Sequence, residues 1–374
     1  MEIIKSKDRL SWLDALRGVA ILGVVLVHCG QRPLSSDLLA NVAAAGQYGV
    51  QLFFIVSAIT ISMTYAQHVA KYGTSPRSAC AWLVRRLFRI WPLYAIATAL
   101  YLVEHTIIRR QLGAVVVPPT RALDIAANLL LINPWIASAN TAVPGGWSIG
   151  VEALFYCLFP MLIIWRRCTT IFAVLAIVLL AISECISFHD YGTFAITNNS
   201  YLYFWPPTQL PVILIGCAFY ATSMAKNRAP NVWACTVLFA ALSAVGLWLG
   251  TWGGRSPGIA PTMFALAFIC LALLVASNRL QTIVSAMLSK IGLCSYSIYL
   301  VHFAVLDVSR LIVKDMHLSQ VQTGPLSLSA IFFAVAGVSY FLASVTRRLI
   351  EIPSIELGRH LSRRMLRPQS HANS

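Results

Sequence analysis

Charged residues are scarce in this chain of 374 residues: Asp, Glu, Lys and Arg together make up 11%, whereas hydrophobic residues make up 58%. An average soluble domain is about one quarter charged. The deficit excludes an ordinary soluble protein and predicts an all-α, polytopic integral membrane protein. Acidic residues are scarcest, with 13 Asp and Glu against 28 Lys and Arg. This excess can indicate nucleic-acid binding, but its distribution follows membrane topology, so we expect no nucleic-acid partner.

Cysteine pairs with the spacing of metal ligands are missing. The nine cysteines include no Cys-x-x-Cys pair and most lie in apolar runs, so we predict neither a metal site nor a disulfide framework. No internal repeat is visible, which argues weakly against transporter folds built from repeats. The first apolar run resembles a signal peptide, but apolar runs continue to residue 350. We therefore interpret it as the first membrane span.

The apolar runs predict about ten membrane-spanning helices. With the N-terminus inside, 20 Lys and Arg residues fall on the inner side and seven on the outer side. This bias favours a cytoplasmic N-terminus and a cytoplasmic C-terminus. The predicted spans are 13–30, 45–66, 88–108, 148–165, 170–188, 208–224, 231–249, 259–276, 292–313 and 327–350.

Two segments outside these spans carry further predictions. The loop 109–147 lies outside and contains an interfacial or re-entrant helix. We divide the chain into a transmembrane domain of residues 1–353 and a basic cytoplasmic tail of residues 354–374. The tail is expected to lie on an anionic leaflet or to be disordered.

Arg17 and His28 are the polar residues of the first span. They lie 11 residues apart in the sequence, which places both on one helix face, about 16 Å apart along the axis. A cation near one surface and an imidazole deeper in the membrane indicate the wall of a polar passage. Alternatively, Arg17 snorkels to the headgroups and His28 packs against a helix backbone. Asp14, one turn before Arg17, is well placed to pair with it.

Three arginines lie at the inner end of the third span, in the sequence Arg85-Arg86-Leu-Phe-Arg89. A guanidinium stays charged and forks onto phosphate oxygens, so the cluster predicts an anion site. Ordinary anchoring of the helix at the inner surface is the alternative. Arg17 near the same surface favours a cytoplasmic phosphate-binding site.

Glu152 is the carboxylate of the fourth span. Pro144-Gly145-Gly146 breaks the preceding chain, and Ser148 is predicted to be the N-cap of the helix. Glu152 then falls in the first turns, at a depth similar to that of His28, where a carboxylate would orient the imidazole. The alternative is that Glu152 neutralises a structural cation.

The remaining polar residues at membrane depth are interpreted from their neighbours along the helix. Ser57 is expected to hydrogen-bond its own helix backbone four residues back, because a nucleophilic role would need an adjacent base. Tyr299 and His302 share a helix face at a spacing of three residues. His302 is either a buried histidine satisfied by a neighbouring helix or a substrate contact.

Five motifs together resemble acyltransferase family three, the bacterial inner-membrane acyltransferases that modify envelope polysaccharides and related acceptors. Each motif is weak alone, but the five in this order are specific. Ala58 departs from the family pattern, which usually has Gly at this position. The motifs cover the ranges 13–20 with the spacing to His28, 49–57, 85–92, 147–156 and 296–302.

The resemblance implies a co-substrate, an acceptor and a location. The donor would be cytoplasmic acyl-CoA, with acetyl-CoA the first choice, and no cofactor would be bound. The acceptor would be a saccharide or lipid-linked glycan hydroxyl reached from outside the inner membrane of a bacterium. Some relatives carry an additional C-terminal esterase-like domain, and this chain is expected to be the stand-alone kind.

Residue roles follow from the same resemblance. Arg17, with Arg85, Arg86 and Arg89, would hold the CoA phosphates. His28 would act as general base on the acceptor hydroxyl or would carry the acyl group, and Glu152 and Arg17 complete the predicted catalytic set. Possible substrate contacts are Ser57, Trp147, Ser148, Tyr156, Tyr299 and His302.

A second class of function fits the same residues. A proton-coupled transporter or flippase for an anionic or lipid-linked substrate could use His28, Glu152 and His302 as a proton relay. The inner arginine cluster and the absence of visible repeats favour the acyltransferase. A purely structural scaffold does not explain so many ionisable groups at membrane depth.

Overall fold

The structure is a computed structural model. It describes residues 11–111, 121–162, 169–191, 201–225, 230–251, 258–277, 283–315 and 323–367. Within these ranges the chain is helical, and extended pairing is limited to a single bridge between Leu34 and Thr323. The all-α prediction is therefore confirmed.

Fifteen α-helices follow one another along these ranges. Those of the first half are α1 (Ser11–Cys29), α2 (Asp37–Ala45), α3 (Gly49–Tyr72), α4 (Pro76–Gln111), α5 (Ala122–Leu129), α6 (Gly146–Leu162) and α7 (Thr169–Tyr191). Those of the second half are α8 (Tyr201–Phe204), α9 (Pro206–Ala225), α10 (Val232–Thr251), α11 (Ile259–Ala276), α12 (Ile283–Leu293), α13 (Ser295–Asp315), α14 (Pro325–Thr346) and α15 (Ile352–Leu366).

The long apolar helices identify a multi-pass membrane protein. Within the described ranges, eight helical segments are long and apolar enough to cross a bilayer, and α6 and most of α7 form two shorter apolar helices. Each of the ten predicted spans overlaps one of these helices. The number ten and the cytoplasmic location of both termini stay predictions.

α1 lies at the centre of the bundle, with α12, α3, α13 and α14 around it. Glycines allow the closest approach, because a Cβ atom at Gly292 would lie 1.7 Å from the Asp14 carbonyl oxygen. A Cβ at Gly18 would similarly lie 2.2 Å from the carbonyl oxygen of Leu288. Small residues are a common means of bringing membrane helices into backbone contact. The helix that carries Arg17 and His28 is thereby held rigidly.

The segment between α4 and α6 packs against the middle of α4. Trp91 Nε1 donates to the Leu129 carbonyl oxygen at 2.7 Å, and the Tyr94 hydroxyl donates to Asn128 Oδ1 at 2.7 Å. α4 then continues to Gln111. Whether this segment is interfacial or re-entrant stays a prediction. Residues 112–120 of this loop lie outside the described ranges.

The basic tail begins with an ordered helix. A π-helical turn, Arg347–Glu351, joins α14 to α15, and α15 packs against the first half of α4. Disorder is thus the wrong expectation for residues 354–366, because they form α15, whose Gly358 lies against Phe88 of α4. The predicted boundary at residue 353 falls inside this continuous helical run. Residues 368–374 lie outside the described ranges.

Candidate active site

Arg17 bonds one residue of its own helix α1 and one residue of α3. Its Nη1 donates to Asp14 Oδ1 at 2.6 Å, which confirms the predicted pair, and its Nη2 donates to Thr60 Oγ1 at 2.8 Å. The Arg17 side chain is 11% exposed. The planar fork of a guanidinium allows one side chain to satisfy both partners.

Arg86 is a second buried guanidinium at this level. It donates to the Thr64 hydroxyl of α3 and lies over two aromatic rings, 5.4 Å from the centroid of Trp82 and 5.9 Å from that of Tyr156. Cation–π contacts of this kind favour a buried positive charge. Thr64 in turn donates to the carbonyl oxygen of Thr60 at 2.8 Å. The two arginine-binding threonines are therefore neighbours on α3.

The other two arginines of α4 face different surroundings. Arg89 lies within electrostatic range of Glu152 and Glu351, and Arg17 lies within range of Arg89. Arg85 is exposed and faces Arg359 and Arg363 of α15. Of the four predicted phosphate-binding arginines, the structure therefore brings three together and turns Arg85 towards a separate cleft.

Glu152 accepts two hydrogen bonds at a single carboxylate oxygen. The hydroxyls of Ser57 and Tyr156 both donate to its Oε1 at 2.7 Å. The expectation that Ser57 bonds its own helix backbone is wrong, because the Glu152 carboxylate is a stronger acceptor within reach.

Glu152 is also separated from His28. It interacts electrostatically with Arg17, Arg86 and Arg89, and His28 is not among its described contacts. The expected carboxylate–histidine pair is therefore wrong, since the carboxylate is turned towards the hydroxyl groups of Ser57 and Tyr156 and towards the arginines. The arrangement matches the alternative that Glu152 neutralises cations.

Ser148 and Tyr299 form the next polar contact along α13. Their hydroxyl oxygens are 2.8 Å apart, and the Tyr299 hydroxyl donates to the Gly145 carbonyl oxygen at 2.9 Å. Ser148 is not the N-cap of α6, which begins at Gly146; its hydroxyl donates to the same Gly145 carbonyl at 3.1 Å. A Cβ at Gly145 would meet the Tyr299 hydroxyl at 2.7 Å.

Trp147 points elsewhere, into an aromatic cluster. Its ring centroid is 4.9 Å from that of Phe204, 5.9 Å from that of Tyr203 and 6.2 Å from that of Phe54. Edge-on and tilted contacts of this kind stabilise cores. Trp147 thus packs beside the polar residues and holds α6, α3 and α8 together.

His28 and His302 lie close together, with Phe303 against both. Their ring centroids are 5.4 Å apart, and that of Phe303 is 4.4 Å from His28 and 4.1 Å from His302. His302 Nδ1 lies 2.8 Å from the Tyr299 carbonyl oxygen, so this nitrogen carries the proton and donates it. Within the described ranges, His302 Nε2 and His28 Nδ1 are buried without a hydrogen-bond partner. Both atoms are available to hold or move a proton.

Charged residues lie at the far end of this histidine pair. Gln31 is within hydrogen-bonding reach of His28. Arg310 donates to Asp307 Oδ1 at 2.7 Å and to Gln31 Oε1 at 3.4 Å. Arg32 donates to the Ser309 hydroxyl at 3.0 Å. The loop after α1 is thereby tied to the end of α13.

These groups together form a set of polar residues within the bundle, which we call the polar column. It runs from Arg17, Arg86 and Arg89 through Glu152 to Ser148 and Tyr299, and then to His302, His28 and Arg310. Apolar helix faces surround it. The column offers guanidiniums for an anion at one end and an imidazole for proton transfer towards the other. Within the described ranges, no group of three or more His, Cys, Asp or Glu side chains could hold a metal ion.

Several residues of the site were missed in the sequence. Thr60 lies three residues after Ser57 and Thr64 lies four residues after Thr60, which places them on one face of α3, so the signal was present. Arg310 is 279 residues from its partner Gln31, and no local pattern could connect them.

A comparison with protein families decides the assignment. A family model for an acyltransferase domain matches residues 10–344. The chain belongs to acyltransferase family three. All five family motifs lie within the matched residues, whereas α15 lies beyond them. Glu152, the arginines and the two histidines therefore belong to the family domain, and α15 is a feature of this chain outside that match.

Two kinds of relative of this family member are informative. O-acetyltransferase OatA of Staphylococcus aureus is 27% identical over 231 residues, which is 58% of this chain and 35% of that protein. Acyltransferase MdmB of Streptomyces mycarofaciens is 24% identical over 384 residues, covering 93% of this chain and 92% of that protein. The chain thus spans about a third of the length of OatA. No solved structure matches it significantly.

Proposed function

We propose that this protein is an inner-membrane O-acyltransferase that uses cytoplasmic acyl-CoA to acylate a hydroxyl of a saccharide or lipid-linked glycan. The observation that carries the proposal is the polar column, with buried guanidiniums at one end and a histidine pair towards the other. An anionic nucleotide thioester suits the first end, and a neutral hydroxyl suits the second. The name O-acetyltransferase of the OatA relatives favours an acetyl group.

The arginines bind and orient the donor in this proposal. Arg17, Arg86 and Arg89 face the phosphates, because a guanidinium with five N–H donors retains free ones after bonding one or two protein partners. Arg85 contributes from the adjacent cleft. Glu152 fixes Ser57 and Tyr156 and balances part of the positive charge before the donor arrives. The narrow pantetheine arm then extends along the column towards His28.

His28 acts on the proton of the acceptor hydroxyl. As the hydroxyl oxygen forms a bond to the thioester carbonyl carbon, His28 takes its proton. The carbon–sulfur bond breaks, and the sulfur leaves as a thiol after receiving a proton. His302, whose Nδ1 proton is engaged by Tyr299, has Nε2 free to help hold the transferred proton. A second route, in which His28 first carries the acyl group, has the same overall reactants, products and proton transfers.

The release of CoA from sided vesicles tests the proposal. Inside-out vesicles of native membranes that contain the protein should release free thiol from added acetyl-CoA. Right-side-out vesicles should release much less, because the donor site faces the cytoplasm. Vesicles with His28→Ala at equal protein level are the matched control. Equal thiol release from wild-type and His28→Ala vesicles would contradict the proposal, and a transporter would give that result.

A further inference from the structure

A cavity of about 380 Å³ lies between the end of α3, the first half of α4 and α15. This size falls within the range of small-molecule and cofactor sites. Four cations line it, together with an aromatic and an imidazole ring: Lys71, Arg85, Arg359, Arg363, Tyr72 and His68. We call this cavity the cationic cleft.

The cationic cleft gathers like charges around one cavity. Arg85 is within electrostatic range of Arg359 and Arg363, which are like charges. Lys71 lies over the ring of Tyr72, 5.2 Å from its centroid. In the described ranges, no carboxylate forms an ion pair with any of the four cations. Like charges gathered around one cavity repel, and a bound polyanion would remove that repulsion.

The wall that α15 contributes is held firmly in place. A Cβ atom at Gly358 would lie 2.5 Å from the Cβ of Phe88, so α15 lies directly on α4 at this point. Arg77 donates to the carbonyl oxygens of Met365 and Arg367, the latter at 2.9 Å. These bonds satisfy carbonyls at the end of α15 that have no partner inside the helix.

The cationic cleft adjoins the polar column. Thr64 lines the cavity and accepts a hydrogen bond from Arg86, and Thr60, one turn further along α3, binds Arg17. An anion in the cleft would therefore lie beside the arginines that begin the column.

We propose that the cationic cleft binds the phosphorylated adenosine end of the donor, with Lys71, Arg359 and Arg363 on its phosphates. The inference rests on the proposed function and extends it to α15, beyond the residues that match the family. The exposed ring of Tyr72, with the buried His68 ring behind it, offers a face for the adenine. Anionic lipid headgroups share the phosphate chemistry, but a three-sided cavity with an aromatic ring in its wall favours a nucleotide.

Binding of CoA to the purified full chain in nanodiscs of neutral lipid tests the inference. The double variant Arg359→Gln with Arg363→Gln should bind CoA about 10- to 100-fold more weakly, since two solvent-exposed guanidinium contacts with phosphate are lost. Its preference for CoA over 3′-dephospho-CoA should shrink. Lys71→Gln, on a different helix, should weaken CoA binding as well.

The matched control removes two positive charges from the end of α15 and the residue that follows it. Arg364 and Arg367 are exposed and do not line the cleft, so Arg364→Gln with Arg367→Gln should bind CoA as the wild type does. If the wild type binds CoA and both cleft variants bind it equally well, the inference is wrong and the acyltransferase proposal stands. A wild-type protein that does not bind CoA contradicts both.

A second measurement distinguishes a nucleotide phosphate from a lipid phosphate as the ligand of the cationic cleft. Mass spectrometry of protein purified from membranes counts the phosphatidylglycerol molecules that remain bound. We expect the same number for the wild type and the Arg359→Gln/Arg363→Gln variant. A variant that loses bound phosphatidylglycerol but keeps its CoA affinity would assign the cleft to lipid and overturn the inference.

Discussion

Replacement of Arg17 by lysine keeps the positive charge of this residue but removes the planar guanidinium that bonds two partners. The guanidinium reaches Asp14 on its own helix and Thr60 on α3 with two different nitrogens, at 2.6 and 2.8 Å. The single ammonium of lysine can keep the Asp14 pair but cannot reach both partners in this geometry. Arg17→Lys should therefore lose one charge-assisted hydrogen bond between α1 and α3.

The size of the effect follows from that one bond. Hydrogen bonds to charged groups contribute about 1.5–3 kcal/mol each. The Arg17 side chain is only 11% exposed, so water does not replace Thr60. We expect the free energy of unfolding to fall by about this amount. CoA affinity should fall about tenfold or more, because a bidentate phosphate contact is lost as well.

Thermal unfolding and calorimetric CoA titration of the purified full chain measure the two effects. Thr60→Val should lower stability at least as much, since it removes the hydroxyl that accepts from Arg17 and also donates to the Val56 carbonyl oxygen at 2.7 Å. Arg310→Lys is the matched control, because Arg310 also pairs with an aspartate three residues earlier, at 2.7 Å, but at the other end of the column. It should leave CoA affinity unchanged. Wild-type stability and CoA affinity in Arg17→Lys would refute the reasoning.

Further predictions concern the remaining parts of the column. His28→Ala should lower acyl transfer by about 10²–10⁴-fold at unchanged CoA affinity, as loss of a positioned base does; a large loss of CoA binding would contradict this. Ser57→Ala should cost about 1.5–3 kcal/mol of stability in thermal unfolding, because it removes a donor to Glu152. Ser344→Ala, which removes a bond to a backbone carbonyl of its own helix and to no charged group, should change much less. The pH dependence of acyl transfer should be unchanged in Glu152→Gln, since Glu152 does not contact His28. A shifted pH dependence would instead support the pairing of Glu152 with His28 that the sequence predicted. Reporter fusions at residues 191 and 374 should report outside and inside respectively, and reports from the same side would contradict the topology.

The polarity of the chain was sufficient to predict the class of fold. The scarcity of charge and the lengths of the apolar runs can be determined from short stretches of sequence. A helix in lipid forms its backbone hydrogen bonds within its own segment. The sequence also places Asp14 one turn from Arg17, because residues three apart on a helix are neighbours. That pair is present in the structure.

Contacts between helices were beyond local reasoning. Glu152 bonds Ser57, 95 residues away, and not His28, because the segment before α6 enters the bundle beside α4 and sets the level at which α6 begins. Arg85 and Arg86 are adjacent in the chain but face a cleft and the polar column respectively, since one residue turns a helix by about 100°.

The sequence by itself determined that this is an all-α membrane protein, which residues are polar at membrane depth, and which family motifs they form. The tertiary structure alone decided which of those polar residues meet, and it made α15 a wall of the cationic cleft. The physical reason is that helix formation depends on neighbours in the chain, whereas the partner of a buried polar group is chosen by helix packing, which brings together residues hundreds of positions apart.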